Sequence, residues 1–255
     1  GVRPFGIGAQ ATGSGTLGST AWLGYITDVR FTNGTALYTS NFVPGFTSPL
    51  TASANTQLLT LQTNGSHNNS TFLDNSSFNN LITRNGNPTV GTFSPYGDNW
   101  SNYFDGTGDY LTLPSNPLLN LNATFTAECW VYVTSLANDM GVWFNGTFGG
   151  DDNRIQLTIR TTGRIDVYSV NTGTQNYYPQ SNTGVISTNT WYHTAVVSNG
   201  STVTLYVNGT QITGDTYVTG GTYSNGTLTL DRQNGSVVVT GFTDNYVTGF
   251  TFNVG

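Results

Sequence analysis

Asn-Gly dipeptides stand at positions 33, 64, 85, 145, 199, 208, 225 and 234 of a 255-residue chain, and this punctuation limits what the chain can fold into more than any other feature. Asn-Gly tolerates positive φ at both centres of a type I′ turn, the connection whose twist matches two antiparallel strands. Between these turns the apolar residues alternate. In NRIQLTIR, Ile155, Leu157 and Ile159 fall on one face while Arg154, Gln156, Thr158 and Arg160 fall on the other, a period of two. Val203, Leu205 and Val207 repeat the pattern, as do Cys129, Val131 and Val133, with Glu128, Trp130 and Tyr132 opposite. No stretch of a dozen residues spaces its apolar positions by three and four, so the class is expected to be all-β.

Charge narrows the function. The chain has 7 cations, all arginine, against 13 acids, for a net charge of −6. Counterion release, which drives nucleic-acid binding, is therefore missing, and no nucleic-acid partner is expected. With 36% apolar and 13% aromatic residues, the chain is too hydrophobic to stay disordered. No run approaches the roughly 18 apolar residues of a membrane span, so no membrane insertion is expected. Cys129 is the single cysteine and allows no internal disulfide. The opening GVRPFGIGAQ shows no basic start followed by an apolar run, the pattern of a secretory signal, and reads as the start of a processed or excerpted piece.

Self-comparison supplies an organisation. Residues 24–34, GYITDVRFTNG, align without gaps on residues 245–255, NYVTGFTFNVG, displaced by 221 positions. Tyr25/Tyr246, Thr27/Thr248, Phe31/Phe252 and Gly34/Gly255 are identical, and Ile26/Val247 and Val29/Phe250 stay apolar. Both segments close a β-rich stretch. Residues 1–34 are thus expected to be the closing strands of a preceding or neighbour-completed module, 35–54 a connector containing Pro44 and Pro49, and 55–255 a complete module. Strands cut off from their own module leave unpaired edges, so pairing with an upstream module, or with a neighbouring copy by strand addition, is expected. Head-to-tail contacts of the second kind build open filaments.

Four segments carry a family resemblance: FDGTGDYL (Phe104 to Leu111), FTAECWVYV (Phe125 to Val133), WYHTAVV (Trp191 to Val197) and VTLYVNG (Val203 to Gly209). In order and spacing they resemble laminin-G-like, concanavalin-A-like domains, with DNSSFNNLITRNGN (Asp74 to Asn87) similar to the opening strand region and GYITDVRF to the closing strand. The resemblance implies a jelly-roll sandwich of two antiparallel sheets. LYTSNF and LLTLQ are similar to tandem modules in large structural proteins of marine phages and bacteria, which implies an extracellular or virion-surface setting. Trp130 and Trp191, inside strand patterns, are read as core packing rather than ligand contacts.

The same architecture carries glycoside hydrolases, whose retaining mechanism needs two carboxylates about 5 Å apart. Glu128 is the only glutamate, and the four residues after it, Cys129 to Tyr132, include no acid. It is read as a hydrogen-bonded sheet residue. Asp151 and Asp152 are adjacent and would point to opposite faces of a strand. His193 is read as sheet structure, His67 lies in an Asn-rich loop, and no lysine is available for a phosphate loop or Schiff base. GIGAQA at Gly6 to Ala11 is followed by no helix, and one cysteine with two distant histidines makes no zinc site. No catalytic residue and no required cofactor are expected.

Calcium enters through the resemblance, because such domains hold Ca²⁺ at the sandwich rim with aspartate and carbonyl oxygens. Candidate ligands are Asp139, Asp151, Asp152 and Asn153, although Asp-Asp-Asn after Gly-Gly is also simply a good turn. Glycan contact is assigned to Tyr177 and Tyr178 in NTGTQNYYPQSN and to Trp143 beside Asn145, with sandwich rim or core as the competing reading. Asn-x-Ser/Thr sequons, candidates for N-glycosylation, occur at Asn33, Asn64, Asn68, Asn69, Asn75, Asn99, Asn122, Asn145, Asn199, Asn208, Asn225 and Asn234. Seven of these are also Asn-Gly turns, which explains them without glycans. The expected role is a structural protein of an extracellular or virion fibre or filament, partnered by its own copies, adjacent modules and glycans. The rivals are a monomeric lectin-like adhesion module and, behind it, a glycoside hydrolase.

Overall fold

The computed structural model describes residues 5–11, 17–62, 72–91, 93–97, 100–116, 119, 124–146, 154–171, 174–177, 179–212, 218–224, 227–232 and 235–240. The chain forms two compact units, 1–214 and 215–255.

Among the described residues the first unit contains β1 (Phe5–Ile7), β2 (Gln10–Ala11), β3 (Leu17–Ser19), β4 (Leu23–Asn33), β5 (Thr56–Thr60), β6 (Thr83–Asn85), β7 (Thr89–Gly91), β8 (Ser101–Asp105) and β9 (Tyr110–Leu113). It continues with β10 (Thr124–Val133), β11 (Met140–Gly146), β12 (Arg154–Ile159), β13 (Ile165–Asn171), β14 (Thr174–Tyr177), β15 (Trp191–Asn199), β16 (Val203–Val207) and β17 (Thr210–Gln211). One sheet runs β14-β13-β12-β11-β1-β9-β6; the other runs β17-β16-β15-β10-β4-β8-β7, with β5 also paired to β4. Every pairing among the described strands is antiparallel, and the two sheets make the jelly-roll sandwich that the family resemblance implied. The second unit holds β18 (Val218–Ser224), β19 (Thr227–Arg232) and β20 (Gly235–Thr240) in a sheet of their own.

The N-terminal strands overturn the expected division at residue 34. β1 lies between β11 and β9 in one sheet, and β4 lies between β10 and the pair β8 and β5 in the other. β1 and β4 are therefore central strands of this same sandwich, with both edges paired in cis, so strand addition through them is not needed. Phe5 shows why they belong there: its ring stacks on Trp143 of β11 at 6.2 Å and meets Phe31 of β4 across the layers at 5.8 Å. The inner faces interdigitate through Ile7, Leu111 and Leu157 from one sheet and Ile26, Cys129 and Leu205 from the other, all fully buried. Gly6 within GIGAQA is fixed by close approach, since a Cβ there would sit 2.0 Å from the Phe144 ring.

β4 is not regular. Its register against β10 shifts between Glu128 and Trp130, and opposite that point Asp28 adopts φ +54°, the left-handed turn of a β-bulge that re-aims a side chain. The connector carries no strand; residues 35–50 instead form a strap over the outer face of the eight-stranded sheet. Ala36, Tyr38 and Phe42 pack on Ala195, Val197 and Tyr206, Phe42 N donates to Gly209 O at 2.9 Å, and Gln211 N donates to Asn41 Oδ1 at 2.9 Å. Asn208 and Gly209 both take positive φ and make the two-residue hairpin expected of Asn-Gly. Asn145-Gly146 does not turn at all: it lies inside β11 with Asn145 fully buried, because core packing of Phe144 and Trp143 outweighs local turn preference.

Candidate functional site

The outer face of the eight-stranded sheet gathers the chemistry, and its two halves differ. Alternation along β10 sends Glu128, Trp130 and Tyr132 outward while Cys129, Val131 and Val133 enter the core.

In one half, register alone builds an aromatic ladder. Tyr103 of β8 stands opposite Tyr25 of β4, Tyr25 opposite Tyr132 of β10, and Tyr132 opposite Trp191 of β15. Successive ring centroids are 5.0, 5.9 and 5.4 Å apart. Four strands at about 4.8 Å spacing make this row roughly 15 Å long. All four rings are half-buried. Phe93, 40% exposed, stands edge-on to Tyr25 and Tyr132 and tilted against Trp191, at 5.4, 4.8 and 5.3 Å. The Tyr132 hydroxyl donates to Asn189 Oδ1 at 3.5 Å, so the strip is apolar with polar margins.

In the other half, charges are roofed by the strap. Arg30 Nε and Nη2 donate to Glu128 Oε1 at 2.8 and 2.5 Å; Tyr38 OH donates to Oε2 at 2.8 Å, and His193 Nε2 lies 3.0 Å from the same oxygen. Arg30 Nη1 also donates to Thr51 O at 2.9 Å. Burial by itself would raise the Glu128 carboxyl. The His193 hydrogen bond and charge, the Arg30 charge and the Tyr38 hydroxyl outweigh it and hold the group below the usual carboxylate range. Asp28, aimed by the bulge, accepts from Leu50 N at 3.1 Å and from Tyr96 OH. Here burial wins, pushing its carboxyl up to about 7.

One ionised and one protonated carboxyl on a common face is the assignment acid-base hydrolysis uses. Both groups, however, are covered. Glu128 is 1% exposed with both oxygens taken, and Asp28 is 0% exposed beneath Leu50 and Tyr96. The expected sheet role of Glu128 and His193 is what the structure shows.

The remaining sequence candidates fare unevenly. Trp143 is 1% exposed in the sandwich core, stacked on Phe5, so it cannot meet a glycan; its place beside Asn145 suggested a turn that is actually strand. Trp130 is buried as expected, but on the outer face under Phe46 and Tyr96, whereas Trp191 belongs to the ladder and not to the core. Tyr177 ends edge strand β14; Tyr178 lies outside the described residues. Asp139 lies at the rim, where its oxygens accept from Arg160 Nη1 and Thr161 N, each at 2.9 Å. Asp151, Asp152, Asn153 and His67 are outside the described residues, and no metal-holding cluster of His, Cys, Asp or Glu occurs among those described.

Of the sequons, buried Asn145 is withdrawn as an acceptor, since a folded strand interior admits no glycan. Asn75, Asn199 and Asn208 are exposed and Asn33 is half-buried. Asn64, Asn68, Asn69, Asn99, Asn122, Asn225 and Asn234 are outside the described residues. The ladder residues are what sequence reading missed, although each occupies the outward phase of an alternating strand.

Residues 105–248 match the family model of the Concanavalin A-like lectin/glucanases superfamily. No curated protein and no solved structure matches the chain. Among the described residues no helix is long and apolar enough to cross a membrane.

Proposed function

Because the chain belongs to the Concanavalin A-like lectin/glucanases superfamily, whose laminin-G-like domains are typically extracellular, we propose that it is a non-enzymatic extracellular module whose aromatic ladder binds neutral glycans. The superfamily's description covers both lectins and glucanases, and the two halves of the outer face bear on that choice. The carboxyl-bearing half is packed shut. The aromatic half is half-open, about 15 Å long, and edged by tyrosine hydroxyls.

The in-register row Tyr103–Tyr25–Tyr132–Trp191 carries the proposal. Sugar rings present C–H faces that pack on aromatic rings and hydroxyl rims that hydrogen-bond, and apolar sites with a few placed polar groups are the usual design of ligand surfaces. Few charges are needed, which suits a chain with 8% charged residues. A fibre or filament on a cell or virion surface is the setting that fits a low-charge sandwich with an internally repeated strand sequence.

The test is a glycan array probed with the intact chain and with Tyr103→Ala/Trp191→Ala. The native chain should retain neutral oligosaccharides, and the double variant should lose at least about tenfold in affinity while still unfolding cooperatively. Equal binding by both proteins, or no glycan retained by the native chain, overturns the ladder as a site.

A further inference from the structure

We infer that the turn at 93–97 is a lid carried by the chain itself: Phe93 occupies the middle of the aromatic ladder, the Tyr96–Asp28 hydrogen bond latches the turn onto the sheet, and a ligand binds by displacing Phe93. The inference names how the proposed glycan site is regulated and rests on that reading.

Phe93 takes the place a sugar ring would need. Its centroid lies 5.4, 4.8 and 5.3 Å from those of Tyr25, Tyr132 and Trp191, three of the four rungs. The rungs are fixed by strand register, whereas Phe93 belongs to no strand. A phenyl ring and a sugar ring cannot pack on the same surface at once. Phe93 keeps 40% exposure, so it gains only part of the stabilisation of a core ring. Beside it, the Trp191 indole N–H is buried without a hydrogen-bond partner. Such a donor costs free energy until it is satisfied. A phenyl ring brings no lone pair to accept from it; a sugar hydroxyl does.

The turn is braced within itself and so moves as one piece. Ser94 and Gly97 form an antiparallel bridge, Tyr96 N donates to Ser94 Oγ at 3.0 Å, and Ser94 Oγ donates to Gly97 O at 3.4 Å. Its grip on the closed half is a side-chain matter. The Tyr96 hydroxyl donates to Asp28 Oδ2, and the Tyr96 ring stands edge-on to Trp130 at 6.0 Å. Asp28 also accepts from Leu50 N at the end of the strap, so one buried carboxyl fastens both covers of the sheet. Tyr96 therefore anchors the turn over the closed half while Phe93, three residues earlier, covers the open half. Because a ligand meets only the chains whose lid stands open, the lid lowers apparent affinity by that open fraction.

The test compares the native chain, Phe93→Ala and Tyr96→Phe on the neutral-oligosaccharide array and, with no glycan present, by hydroxyl-radical footprinting of the tryptophans. Phe93→Ala should retain oligosaccharides about tenfold more tightly than the native chain. Tyr96→Phe cuts the latch, leaves every rung in place and should fall between the two. Without glycan, Tyr96→Phe should raise labelling of Trp191 about threefold, while Trp143 stays protected and so reports an intact core. Glycan retained by the native chain with no gain in Phe93→Ala overturns displacement of Phe93, because the ring is then a ligand contact or a bystander. Native-level labelling of Trp191 in Tyr96→Phe overturns the latch. Should none of the three chains retain a glycan, the ladder fails as a glycan site, and raised Trp191 labelling still supports the lid.

Discussion

The two halves of the outer face are built on the same strands, yet one is closed over ionised groups and the other is left open over rings. β10 contributes Glu128 to the first and Tyr132 to the second, four residues apart. The closed half shows how a sheet tolerates buried charge: Arg30, Tyr38 and His193 occupy the Glu128 oxygens, and the strap excludes water. The open half does without ionic partners, because half-buried rings satisfy one another edge to face. Stability should therefore concentrate in the closed half and recognition in the open one.

The strongest way to break that contrast is Glu128→Ala, which leaves Arg30 buried without its counter-ion and should cost about 3–5 kcal/mol in denaturant unfolding. Acidity probes the same half next. Glu128, held low in the folded state, supports stability above its unfolded pKa, and this support is lost as pH falls. Asp28 behaves oppositely: its folded pKa is raised from 3.8 to about 7, so stability declines as pH rises between those values. Asp28→Asn should flatten that decline, worth on the order of a few kcal/mol; melting curves from pH 4 to 8 that keep the native slope would contradict this. A matched pair of hydroxyl deletions then sharpens the comparison. Tyr38→Phe removes a donor to a buried carboxylate and should cost about 1.5–3 kcal/mol, whereas Tyr103→Phe should change stability by less than about 0.5 kcal/mol. Phe93→Ala should also cost little, under about 1 kcal/mol, measured beside its effect on glycan retention.

Much of the fold was legible because the inner face obeys a local rule. Cys129, Val131 and Val133 announce their side of the sheet from spacing alone, and Asn208-Gly209 makes the turn its chemistry favours. The ladder was not legible in the same way. Tyr25, Tyr103, Tyr132 and Trp191 come from four strands, and their adjacency is a property of register, which no single segment contains. Arg30 and Glu128 lie 98 positions apart, so the sequence showed a lone glutamate without its partner. The reading of residues 1–34 as belonging elsewhere failed for a related reason. It read β4 as a closing strand from its pattern, but order along the chain does not determine which sandwich receives it. Asn145-Gly146 marks the limit of dipeptide rules, since burial between large aromatic residues kept an excellent turn sequence extended.

β4 has ladder partners on both edges, β10 along one and β8 with β5 along the other. Tension applied along such a strand loads many bonds in parallel shear, whereas an edge strand can be peeled off one bond at a time. Single-molecule stretching through β4 should thus meet a higher rupture force than stretching through the β17 edge. In a tethered module, resistance to pulling would then reside in a strand that neighbours hold along both of its edges.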